Sequence, residues 1–191
     1  MLMQAVIDRA KQQNAPGVRL VQDAFNTASM SLYTSLGFDP KEPLALVSGH
    51  CRDAASAPRD VRRMTESDLP GCAELCRKVH GIDRNGELAD ALNHSGPIVR
   101  ERGGRIVAYM SSPNFWIPNH AVAETLDDMK ALFLGATALT HAPLGMLIPI
   151  RNAELFRWLL SQGLRVMKPM TLMAMGKYHE PRGVFFPSVS F

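Results

Sequence analysis

Cys72, Cys76 and His80 stand at i, i+4 and i+8, which lays two thiols and an imidazole along one face of a helix. A closed zinc site takes about four such ligands, and no fourth candidate falls at a recognisable spacing. Leu69, Ala73 and Val79 share or border that face. The spacing therefore reads as small thiols buried in a core rather than as a metal centre. The other side chains at telling positions are two asparagines that open the same device twice. Asn26 to Leu46 aligns without a gap on Asn152 to Leu172, and 152−26, 163−37, 169−43 and 172−46 all give 126. Asn26/Asn152, Ser35/Ser161, Gly37/Gly163, Pro43/Pro169 and Leu46/Leu172 are identical pairs. Each copy reads as a capped helix ended by glycine, followed by a strand.

The elements that must position these residues can be read along the chain. Leu2, Met3, Val6, Ile7 and Ala10 recur at helical spacing up to a Pro16-Gly17 stop. Residues 18–21 form a short apolar strand, Asn26 or Thr27 caps the next helix, and 44–47 is a strand. Residues 50–59, rich in Ala, Ser and Pro, have the composition of a linker. A strand near 61–64 opens a new unit. Thr65 or Ser67 then caps a helix to about His80, with Pro70 in its first turn. A helix over about 83–92 follows, and strands 98–101 and 105–111 flank Gly103-Gly104, a hairpin signal. The spacing then predicts a helix over 121–139, a strand over 146–150, a helix over 152–162 and a strand over 166–175. This alternation implies a mixed α/β sheet. The expectation is a tandem duplication whose first copy lacks its front. Residues 1–49 are then the back half of one domain, 50–59 a linker, and 60–191 a complete, divergent second domain with a C-terminal tail.

Composition narrows the function. The chain has 191 residues, 46% of them hydrophobic and 20% charged, and a formal charge of +3. That is ordinary for a globular protein and too weakly basic to argue for nucleic acid. No Lys/Arg run is interleaved with aromatics, and Arg59, Arg62 and Arg63 read as a solvated edge. No apolar stretch reaches the length of a membrane span. Asp8 and Arg9 interrupt the first thirteen residues, which therefore do not read as a signal peptide, and three unpaired cysteines suit a reducing cytoplasm.

The module N-x-x-S-x-x-L-Y-x-x-L-G-F, carried by Asn26, Ser29, Leu32, Tyr33, Leu36, Gly37 and Phe38, resembles the C-terminal pattern of the GNAT superfamily of acetyl-CoA-dependent N-acetyltransferases. The tail from Gly176 to Ser188 is similar to the end of tandem members of that superfamily. The resemblance implies a GNAT-like α/β fold with acetyl-CoA as cosubstrate. It sets the cofactor pyrophosphate on backbone N–H groups where the helix after the fourth strand begins, a place suited to anions. In the first copy that loop falls just ahead of Met1. In the second it corresponds to residues 117–125, where Asn119, His120, Ala121, Val122 and Ala123 would supply it, although the usual glycines and Arg or Gln are absent. Asn152, like Asn26, occupies the position that contacts the pantetheine arm, and either is also a good N-cap.

For chemistry, the resemblance implies a base that takes a proton from the acceptor amine and a tyrosine that protonates the leaving thiolate. Tyr33 fills the tyrosine position in the first copy, but its counterpart is Leu159 (33+126), so Tyr33 is expected to be idle in this chain. His120 is the favoured base, because a neutral imidazole needs little adjustment near pH 7. Tyr109 and Tyr178 are the other polar residues expected near the cleft. Three readings stay open: an acetyltransferase acting on an amine of a small molecule or protein, a non-catalytic GNAT-like binding or interaction module, and a fragment of a longer tandem enzyme. The incomplete first half is expected to dock its strands on the second, or to exchange them in a homodimer.

Overall fold

The computed structural model describes residues 2–189, so Met1, where the first pyrophosphate loop was expected to end, lies outside them. Helix α1 (Leu2–Gln12) buries Ile7 and stops ahead of Pro16. Strand β1 (Gly17–Asp23), helix α2 (Thr27–Ser35) and strand β2 (Asp39–Gly49) follow. Asn26 caps α2 by accepting the Ser29 N–H at 3.0 Å. Residues 50–59 pack against the body instead of running free. Cys51 is buried, with its N–H on Thr137 Oγ1 at 3.2 Å. The Asp53 N–H donates to Gln162 Oε1 and Gln162 Nε2 returns a bond to Asp53 Oδ2.

Strand β3 (Val61–Arg63) leads through a 3-10 turn at Glu66–Asp68 into α3 (Leu69–His80) and α4 (Asn85–His94). Thr65 and Asp68 form a reciprocal capping box at that turn. Arg62 is tied into it, donating to both Asp68 oxygens at 2.7 and 2.8 Å and to Glu101 at 2.6 Å, so it is not the solvated charge that its cluster suggests. Strands β4 (Ile98–Arg102) and β5 (Arg105–Met110) meet at Gly103-Gly104, both at positive φ as a tight hairpin requires. After β6 (Ala121–Ala123) come α5 (Leu126–Thr140), β7 (Leu144–Pro149), α6 (Ala153–Ser161), β8 (Arg165–Gly176) and β9 (Val184–Phe186).

Two of these elements correct the sequence reading. Residues 121–123 are a strand rather than the start of a helix, because they pair with β5 on one side and β9 on the other. The helix begins at Leu126, behind a Thr125 cap. The signal for this was legible: Thr125-x-x-Asp128 is a capping sequence, and Thr125 Oγ1 accepts the Asp128 N–H at 3.1 Å. The tail strand β9 had no counterpart in the reading.

The strands form two sheets, β1-β8-β2-β7 and β3-β4-β5-β6-β9. The offset of 126 extends beyond the aligned segment. Added to the bounds of α1, β1, α2 and β2, it lands within about two residues of α5, β7, α6 and β8 in most cases. Exchanging the members of each pair reverses the order β1-β8-β2-β7 onto itself, so the first sheet has pseudo-twofold symmetry. Each half inserts its last strand beside the strands of the other: β8 runs antiparallel to both β1 and β2, and β2 to both β8 and β7. Residues 1–49 therefore dock on the rest of the chain. The largest apolar cluster joins Val47, Met146 and Ile148 of this sheet to Phe133 of α5, Leu155 and Leu159 of α6, and Phe186 of β9.

Candidate functional site

Tyr109 on β5 and His120 just before β6 are brought together, their rings meeting edge to face with centroids 5.5 Å apart. Both are wholly buried. The His120 backbone is held by Ser111, whose Oγ accepts the His120 N–H at 2.9 Å and donates to the Pro118 carbonyl. Its two ring nitrogens have no hydrogen-bond partner among the described residues. Burial, with Arg84 and His80 adding to it, holds the imidazole well below its ordinary pKa, so it stays neutral. Burial likewise pushes the Tyr109 hydroxyl, beside the Cys76 thiol, well above the usual phenol range.

His80 lies nearby in the same state. Its ring is edge-on to Phe185 of β9 at 5.3 Å and unpartnered, and burial lowers its pKa to about 3. The buried Arg84 side chain donates to Glu87 and, at 2.8 Å, to Ser188 Oγ of the tail. This group of His80, Arg84 and Ser188 was missed in the sequence, since it is assembled by the tail. Cys72 and Cys76 are buried in the adjoining core, with the Cys72 thiol pushed up to about 12 by burial. No group of three His, Cys, Asp or Glu able to hold a metal occurs among the described residues.

The start of α5, where an anion would sit, is filled by the chain's own acids. Asp128 in its first turn is fully buried, accepts the Thr125 hydroxyl at 2.6 Å and pairs with Arg100 at 3.0 Å and Arg102 at 3.3 Å. Glu124 is clamped by Arg105 and Lys78, and the Arg105 hydrogen bond holds its carboxyl below the usual range. Carboxylates at a helix N-terminus satisfy the dipole that a pyrophosphate would need and repel a second anion. The N–H groups of Ala121, Val122 and Ala123 lie in ladders on both sides of β6. The Asn119 amide is spent on the Gly145 carbonyl at 2.7 Å and the Ser112 N–H at 3.1 Å.

Asn152 caps α6, accepting the Leu155 N–H at 3.4 Å. It lines a cavity of about 370 Å³ together with Arg151 and the tail residues Gly183, Val184 and Phe185. Strand β6 leads into the start of α5, and β7 leads to Asn152. Strand β9 lies beside both, paired with β6 and packed against β7. Phe186 stacks on Phe133 at 5.9 Å beneath it. Leu159 is part of the same core.

The remaining residues sit elsewhere. Tyr178 is half-buried over the opposite face of the first sheet, under the Arg19 guanidinium at 5.1 Å. Tyr33 is half-buried on α2, its ring edge-on to Phe38 at 6.1 Å, and Asn26 is exposed at the head of that helix.

No protein-family model matches the sequence, and no curated protein does. Solved structures do. A candidate acetyltransferase from Pyrococcus horikoshii superposes with a TM-score of 0.69 at 15% identity, over 90% of this chain and 58% of that one. A GCN5-related N-acetyltransferase from Sphaerobacter thermophilus gives 0.53 at 14% identity, over 88% and 61%. A GNAT-family acetyltransferase from Colwellia psychrerythraea gives 0.53 at 11% identity, over 93% and 73%. The chain has the GNAT acetyltransferase fold. It spans about three fifths of the length of the Pyrococcus and Sphaerobacter structures. Among the described residues no helix is long and apolar enough to cross a membrane.

Proposed function

We propose that this GNAT-fold chain serves acetyl transfer from acetyl-CoA to an amine of a small molecule or protein in the cytoplasm, and that its two halves divide the work. In this reading Asn26 and Tyr33 of the first half take the pantetheine-contacting and thiolate-protonating roles, contrary to the expectation from the sequence that Tyr33 is idle. Residues 60–191 are the supporting half, whose β8 completes the sheet on which α2 stands. The observation that carries this division is β9. In the second half it lies beside both β6 and β7, the strands that lead to α5 and to Asn152, where His120 is buried and a leucine stands at the tyrosine position. In the first half the equivalent Asn26 and Tyr33 reach solvent. A base buried beyond solvent and held neutral well below pH 7 is a poor acceptor for a proton from a bound amine.

Calorimetric titration of acetyl-CoA, with thiol-release assays on a panel of amines, tests the reading. Asn26→Ala is expected to weaken binding at least fivefold and Asn152→Ala to leave it unchanged. Both variants lose one helix cap of about 1 kcal/mol, so each controls for the other. Tyr33→Phe is expected to lower turnover about 10²-fold, the scale of a general acid. Loss at Asn152 with none at Asn26 would move the donor site into residues 60–191 and overturn the division. A second reading, a non-catalytic GNAT-like module, is favoured by the acid-filled start of α5. Absence of any acetyl-CoA binding would select it.

A further inference from the structure

A cavity of about 340 Å³ opens on the far side of the first sheet from β9, walled by Trp116, Leu46, Leu144, Pro143 and Met167. Its volume falls at the lower end of small-molecule sites. The wall is built rather than collapsed. Asn114 Nδ2 donates to the carbonyls of Ala142 and Pro143 at 3.0 Å each, and Gly145 N–H bonds the Pro113 carbonyl at 2.9 Å. These bonds pin the loop that carries Trp116 to the start of β7. Gly145 admits the indole, since a Cβ there would lie 3.2 Å from Trp116 Cβ. At the cavity Met167 is 63% exposed, and Phe115 and Ile117, the neighbours of Trp116 in its loop, are exposed as well. Apolar surface gathered at a pocket rim is a mark of a binding site.

Among the described residues the cavity wall itself carries no charged side chain, and two cations, Arg165 and Lys168, stand in register with its Ser48 and Leu46. Arg165 on β8 pairs in register with Ser48 at the cavity wall. Its guanidinium bonds the carbonyls of Gly163 and Leu164, and no carboxylate pairs with it among the described residues. Lys168, in register with Leu46, holds its ammonium 5.6 Å from the Trp116 ring centre while pairing with Asp23. We propose that this cavity binds an organic anion with a flat apolar body, the ring laid on Trp116 and the carboxylate at Arg165. The site is separate from Asn26, Tyr33 and β9, so it does not depend on the acetyl-transfer reading.

The test uses the full chain and two probes that share a ring and differ in charge, 2-naphthoate and 2-naphthylmethylamine, titrated by calorimetry. The carboxylate is expected to bind one to one and at least tenfold more tightly than the amine. Arg165→Glu is expected to remove that preference, and Met167→Ser to weaken both probes. Each of these substitutions is at an exposed position, so folding is expected to survive, checked by circular dichroism. Equal affinity for the two probes, no binding of naphthoate at millimolar concentration, or affinity unmoved in both variants would overturn the proposal. Sedimentation of the free chain supplies the other outcome: a dimer broken by Met167→Ser would assign the patch to a second copy and also overturn it.

Discussion

Acid should unfold this protein through His80 and His120 before its carboxylates respond. Both imidazoles are neutral in the folded state, one with its pKa lowered to about 3 and the other well below its ordinary value, mainly by burial. In the unfolded chain each returns to about 6.5. The folded pKa is depressed, so the unfolded state binds more protons once pH falls below about 6.5, and stability declines with it. At pH 5.5 the cost is RT ln(1 + 10), about 1.4 kcal/mol for each ring and about 3 kcal/mol for the pair. That is a large part of a typical total of about 5–15 kcal/mol. Two shifted carboxylates also respond to acid. Asp68, lowered by its Arg62 bonds, loses its contribution only as pH falls through its folded pKa, below the ordinary carboxylate range. Glu42 is raised by burial and so works in the opposite sense, as pH falls through its folded pKa above the ordinary carboxylate range. Urea unfolding followed by tryptophan fluorescence at pH 7.5 and 5.5 measures the difference. His120→Leu should remove about half of it. A stability equal at the two pH values, or a loss that persists after both histidines are replaced, would refute burial of two neutral imidazoles.

Three further outcomes follow from packing. Phe186→Ala should cost about 3–5 kcal/mol by opening a cavity beside Phe133, read as a fall in denaturation midpoint; a surface tail would show almost no change. Gly135→Ala would set a Cβ 2.3 Å from Val61 Cγ1 and should cost about 1–3 kcal/mol in the same measurement. Thr125→Ala should cost about 1 kcal/mol through the lost cap of α5, with amide exchange of the first turn accelerated.

Local signals carried most of the element order. Asn26 and Asn152 are caps as their types require, Gly103-Gly104 makes the hairpin, and the 126-residue offset predicted two equivalent helix–strand units that the sheet then displays. Residues 121–125 were misread as helix because Ala-Val-Ala satisfies helical and strand patterns alike, whereas the helix itself runs from Leu126 to Thr140. What decides them is two neighbouring strands, one of them sixty residues away in the tail. The Thr125-x-x-Asp128 cap was available and outweighed. The site was less legible than the fold. His120 in a loop reads as solvated, and the packing of Tyr109, Ser111 and Pro118 with α4 around it makes it a buried, neutral ring. Arg84 and Ser188 are 104 residues apart, and no spacing rule connects them.

The pseudo-twofold sheet also limits what either half can do alone. Strand β8 touches β1 and β2 but not β7, so the two long strands of residues 60–191 in this sheet are joined only through β2 of the first half. Removing residues 1–49 would strip β8 of both neighbours and bare the inner edge of β7, leaving unpaired ladder groups beside Leu147, Met170 and Leu172. The halves therefore form one cooperative unit, and β9 is held by that unit as well, since Phe186 packs in the cluster that includes Val47 of β2. The tail strand of the second half is thus secured through β2 of the first. A single denaturation transition for the whole chain, with residues 60–191 alone failing to fold, is the expected signature of that coupling; two separable transitions would dissolve it.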